Sequence, residues 1–220
     1  MTGQGLTGRF RQAWQDASAR VEQAAPAGTR RRFDPASWGG ALLVMLLATA
    51  VLWVVQGVNH HQRLDRFGLR PRSVDGLWGV LTAPFLHPSW DVLISTTLPF
   101  LLIGWAVLIG GVRNWAIGSV AIIVVGGALT WLVGPSHLVL GATGLVFGWI
   151  GYLLTRAWFS RRLSSILIVV VVLAIFGTLL GQLVPDFDKH SSWQANACSF
   201  VVGLVAGGVL PLPRRRVKRP

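Results

Sequence analysis

Residues 140–152 decide the fold: Leu140-Gly141-Ala142-Thr143-Gly144-Leu145-Val146-Phe147-Gly148-Trp149-Ile150-Gly151-Tyr152. The stretch is apolar, yet glycines recur in it three or four residues apart, at 141, 144, 148 and 151. On a helix they share one face, and such a face lets a second helix approach to backbone contact. Helices in lipid associate by this kind of close packing, because burial of apolar surface drives them together only weakly. The hydroxyl of Thr143 falls at the start of that helix, where backbone N–H groups have no partner within it. A polar group at membrane depth is a default functional candidate. The rest of the chain reads as a bundle built around this segment.

Working outward, the 220 residues are 52% hydrophobic and only 13% charged, too apolar for an ordinary soluble domain. Six spans are predicted near the ~20 residues that a bilayer requires: about 39–58, 92–110 (containing Pro99), 115–133, 141–158, 163–184 and 194–212. The predicted fold class is therefore all-α, a polytopic bundle of six transmembrane helices with a long first loop. Residues 1–37 form a separate segment, 38–212 the membrane domain and 213–220 a basic tail. Phe10, Trp14, Ala17 and Val21 share a helical face, the pattern of a helix lying in the membrane interface. The single cysteine, Cys198, excludes an internal disulfide and thiolate metal clusters.

The net charge of +12 lies beside the apolar spans, so anionic lipid head groups are its expected partner, and nucleic acid is not. Of the 20 Lys and Arg, 15 fall on the side of the two termini and 5 on the other. This asymmetry predicts that both termini are cytoplasmic. The loop of residues 59–91 interleaves arginines with Phe67, Leu77, Trp78, Phe85 and Trp90, a composition suited to lying partly in the interface.

Three blocks then stand in order: Pro84-Phe85-Leu86-His87 closing the long loop, Gly141-Ala142-Thr143-Gly144, and Ser192-Trp193-Gln194-Ala195-Asn196 leading to Gly203 and Gly207. With six spans and cytoplasmic termini, the chain resembles a rhomboid, the family of six-span intramembrane serine proteases, across roughly residues 64–212. The resemblance implies an integral protein of a bacterial plasma membrane that takes no cofactor and meets lipid and the transmembrane segments of other proteins. It also implies where chemistry should lie. Rhomboids carry Gly-x-Ser-Gly with the serine as nucleophile, and Thr143 stands at that place. Their base is a histidine of the sixth span, matched by Asn196. The His and Asn of their second span that assist the oxyanion are matched by Val92 and Thr96. His87 alone is retained from this polar set, in a position that looks structural. Ser199 replaces a small residue three places after the base.

These exchanges have chemical consequences. A hydroxyl is a weak nucleophile near pH 7 without an adjacent base, and the Asn196 amide has no nitrogen that accepts a proton. Val92 donates no hydrogen bond. The expectation is a pseudoprotease that keeps the fold and binds membrane segments. The alternative is an active protease using Thr143 with another base: His137, six residues upstream, or His87. Asp91 lies one place from the position of the oxyanion histidine, but a carboxylate there would repel an oxyanion. His60, His61 and His190 read as loop histidines, and no histidine pair has metal-ligand spacing with a carboxylate. A transporter is disfavoured, because no span carries an ionisable residue away from its ends.

Overall fold

The computed structural model describes residues 37–59, 61–161, 163–184 and 192–211. The proposed interfacial helix, His60, His190 and the basic tail lie outside them. Six long helices follow the predicted spans. Helix α1 is Trp38–Val58, capped by the Ser37 hydroxyl, which accepts from the Gly40 N–H at 3.1 Å. The long loop carries the single-turn helix α2, Gly79–Thr82. Helix α3 is Trp90–Ile109, and its N-cap Ser89 accepts from the Val92 N–H. Helix α4 spans Val112–Val133 and widens into a π-turn at Ile122–Gly126. Helix α5 is Thr143–Ser160, α6 is Leu163–Phe176 with a 3₁₀ continuation at Gly177–Leu183, and α7 is Trp193–Val209.

Helix α5 is the centre of the bundle, with Val146 through Leu153 buried without interruption. Its glycines explain how. A Cβ on Gly203 of α7 would collide with the Gly148 carbonyl, and one on Gly151 would collide with the Phe200 carbonyl. One on Gly207 would come within 2.7 Å of the Tyr152 carbonyl oxygen. The two backbones therefore touch, the contact that small residues exist to permit in lipid. Gly148 serves two helices: its backbone meets Gly203, while a Cβ on it would point at Ile122 of α4, whose Cγ2 lies 2.5 Å from that position. One detail of the expected stripe differs. Gly141 is not on the helical face at all. It precedes the helix with φ +114°, a conformation that a side chain would strain.

Four helices, α1, α3, α4 and α6 with its continuation, are long and apolar enough to cross a membrane unaided. Helices α5 and α7 are not among them, for a physical reason. Helix α5 lies inside the bundle, and α7 turns its small and polar residues inward while Val201, Val205 and Val209 face outward. At 17 residues, α7 is only about 25 Å long. Helix α6 is the opposite case, apolar all round and little buried. Behind α5, Trp149 stacks against Phe100 at 5.1 Å between centroids, and its indole N–H donates to the buried Ser119 hydroxyl at 2.9 Å.

The long loop is tied to the segment that precedes α5. Leu69 and Val139 exchange both backbone hydrogen bonds, at 3.1 and 2.9 Å. Arg72 donates from its backbone to Trp131 and from its guanidinium to the Gly134 carbonyl, while the Trp131 indole donates to Ser73. Gly141 N–H donates to the Ala83 carbonyl at 3.0 Å. Exposed Trp78, Leu81 and Phe85 remain on the outer side of this loop, where an interfacial position would place them.

Candidate active-site cavity

A cavity of about 890 Å³ opens between α3, α5 and α7 and the 3₁₀ end of α6. The four positions that the resemblance singles out all line it: Thr143, Asn196, Val92 and Thr96. Each is placed by a local cause. Thr143 is the first residue of α5, raised above the α5–α7 contact by the turn at Gly141. Asn196 lies one turn into α7, on the same side. Val92 and Thr96 are one turn apart on α3, so they share a face. Pro99 continues that face without ending the helix. It deprives the Ser95 carbonyl of its usual amide partner, and Ser95 also faces the cavity.

Thr143 and Asn196 do not hydrogen-bond to each other: the Asn196 amide donates to the Gln182 carbonyl at 3.5 Å, a long contact. The Thr143 hydroxyl makes no hydrogen bond among the described residues. No side chain caps α5, so the N–H groups of its first turn are left facing the same region. Ser199 has a place of its own. It lies against Gly144 and the π-turn residue Gly126, each of which would bring a Cβ within 3.0 Å of its hydroxyl oxygen.

His137 does reach the cavity, but its Nε2 lies 3.3 Å from the hydroxyl of Ser192, the residue that precedes α7. Ser192 was missed in the sequence. It stands inside a quoted block, but only tertiary contact between two loops pairs it with a histidine 55 residues earlier. Asp91 is not on the cavity wall; it sits in the first turn of α3, where a carboxylate favours the helix dipole. His87 is not there either. It is fully buried, and neither ring nitrogen has a hydrogen-bond partner. Burial pushes its pKa down to about 4, against a smaller opposing effect of the Phe85 backbone. It therefore packs as a neutral ring. Among the described residues no group of three His, Cys, Asp or Glu is placed to hold a metal.

The family model for the Rhomboid domain matches residues 74–212, more than half of the chain, and takes in all of the cavity's helices. The chain belongs to the rhomboid family. Relatives of this rhomboid include an uncharacterized protein of Mycobacterium tuberculosis, 35% identical over 186 residues, which are 79% of this chain and 77% of the relative. An uncharacterized protein of Mycobacterium leprae is 32% identical over 193 residues, 82% of this chain and 76% of its own. The rhomboid is thus an integral membrane protein with bacterial relatives.

Proposed function

We propose that this rhomboid is a pseudoprotease that binds transmembrane segments of other proteins instead of cleaving them. The observation that carries the reading is Asn196. It shares a cavity with Thr143, yet its amide is turned to Gln182 and offers no proton-accepting nitrogen. Nucleophile, base and oxyanion donors have all changed, and the loss of one triad member alone costs about 10⁴-fold in a serine protease. What remains is a space of binding-site size, walled by α3 on one side and the end of α6 on the other. A membrane helix entering between these two would find apolar walls and a polar floor. The charge asymmetry supports a bacterial plasma membrane setting with both termini in the cytoplasm.

A second reading has a specific observation behind it. The cavity contains an imidazole, His137, and a hydroxyl within its reach, Ser192. Their 3.3 Å separation is slightly beyond the roughly 2.6–3.2 Å of an activated pair. Under that reading the rhomboid is an active protease, with Ser192 or Thr143 as nucleophile and His137 as base. Reaction of the purified protein with a fluorophosphonate, read by intact mass and peptide mapping, separates the two. The pseudoprotease gives no adduct; covalent modification of Thr143 or Ser192 overturns it.

A further inference from the structure

At the other end of the bundle lies a second cavity, of about 350 Å³, between the start of α1, the end of α3, the end of α5 and the start of α6. At roughly 30 Å³ per water molecule, it would hold about a dozen. Its walls include Val107, Ile109 and Ile168, its rim Trp38, and its polar lining Arg156 with Ser160, Ser164 and Ser165.

Arg156 is the unusual group. It is 9% exposed and carries a full charge, since a guanidinium does not lose its proton in proteins. Two of its five N–H donors go to backbone carbonyls, Leu210 at 2.8 Å and Pro211 at 3.1 Å. Its guanidinium also lies 5.5 Å from the centre of the Tyr152 ring. None of these partners carries a negative charge. The carboxylates among the described residues are Asp65, Asp75 and Asp91, in the long loop or the first turn of α3, at the opposite end of the molecule. A buried cation without a counter-ion is costly, and an anion in contact with it recovers much of that cost. Arg113 and Arg161, both exposed, add positive potential at the same end.

We propose that this cavity binds the phosphodiester head group of an anionic phospholipid. The guanidinium supplies the charge and the fork geometry suited to phosphate oxygens. The Ser164 and Ser165 hydroxyls supply neutral donors, and the first turn of α6 adds backbone N–H groups to the same side. The apolar walls, Val107, Ile109 and Ile168, suit the first carbons of acyl chains. A lipid is chosen over free phosphate because charged and lipid-compatible surfaces meet in one cavity. The site is separate from the cavity of Thr143, and its occupancy is independent of whether that cavity performs chemistry.

The test uses the full chain, purified in detergent and stripped of lipid. Phosphatidylglycerol, phosphatidylcholine and inorganic phosphate are added back, with native mass spectrometry and thermal unfolding as readouts. Phosphatidylglycerol should remain bound as one molecule per protein and raise the midpoint, while phosphatidylcholine and phosphate should do neither. Ser165→Glu places a carboxylate beside Arg156, at a helix start that tolerates it. It should weaken phosphatidylglycerol retention by roughly tenfold or more, while Ser165→Ala leaves it close to wild type. Arg156→Lys, which keeps the charge but loses the fork, should weaken it severalfold. Equal binding of the two lipids overturns the proposal, as does stabilisation by phosphate alone or undiminished phosphatidylglycerol preference in both Ser165→Glu and Arg156→Lys.

Discussion

Thr143 retains a hydroxyl and a place at the head of α5, and Asn196 retains a place across the cavity, so the scaffold can be tested by refitting it. Under the pseudoprotease reading, Thr143→Ser alone yields no cleavage of a rhomboid-type substrate in detergent, because no base has been supplied. Adding Asn196→His rebuilds a dyad but leaves the side-chain oxyanion donors missing, each worth about a hundredfold or more. Weak activity at best is the expected result, rising when Val92→His and Thr96→Asn are added. Cleavage by the unaltered chain that disappears in Thr143→Ala would refute the reading. His87 gives a second prediction. The unfolded chain binds a proton on this histidine near pH 6.5, whereas the folded one resists until about 4. Stability is therefore greatest above 6.5, declines as the pH falls through that window, and levels off below it. The full contribution is roughly 3 kcal/mol. His87→Leu should abolish this part of the pH dependence of thermal unfolding. It should cost little at pH 7, because the two nitrogens it removes are buried and unpaired.

At the scale of the element, the pairing of α5 with α7 governs stability. Gly203 is the most demanding position, since any side chain there meets the Gly148 carbonyl. Gly203→Ala should destabilise the detergent-solubilised protein by about 1–3 kcal/mol or more, as overpacking does. Gly148→Leu should prevent assembly by driving into Ile122. Leu167→Ile on the outer surface of α6 should leave thermal aggregation unchanged. Wild-type behaviour of both glycine variants would remove α5 from the centre of the bundle. The π-turn of α4 belongs to the same account. Its widened register brings Gly126 against Ser199 and Gly127 against Val80 of the long loop, joining three elements at one level.

For the whole molecule, the cavity with Thr143 and the cavity with Arg156 lie at opposite ends of α5. The charge asymmetry predicts that the Arg156 end faces the cytoplasm. A cysteine in place of Ser136, an exposed residue of the α4–α5 loop, should react with an impermeant reagent added to intact cells. One in place of Arg113, in the first turn of α4, should react only after lysis. Cys198 is replaced beforehand in both. The reverse pattern would invert the topology. Hydrogen bonds fix the long loop to residues 131–141, and the one from the Gly141 N–H to Ala83 helps set the position of Gly141 before α5 begins.

The sequence by itself determined the number of spans, because the hydrocarbon thickness imposes a length that a stretch of apolar residues reveals directly. It also determined the α5–α7 pairing, since glycines at helical spacing have few other uses in lipid. Resemblance to rhomboids singled out residues 92, 96, 143 and 196, and the fold brings the four to one cavity. Tertiary structure decided the rest. Gly141 left the helical stripe because the turn before α5 needs its positive φ, and Asn196 chose Gln182 because the end of α6 brings that carbonyl within reach. Ser192 met His137, and Arg156 met the end of α7, across 55 and 54 residues. Spacing along the chain carries no record of such encounters, because loops and helix ends place side chains by contacts between elements, and periodicity describes only the elements themselves.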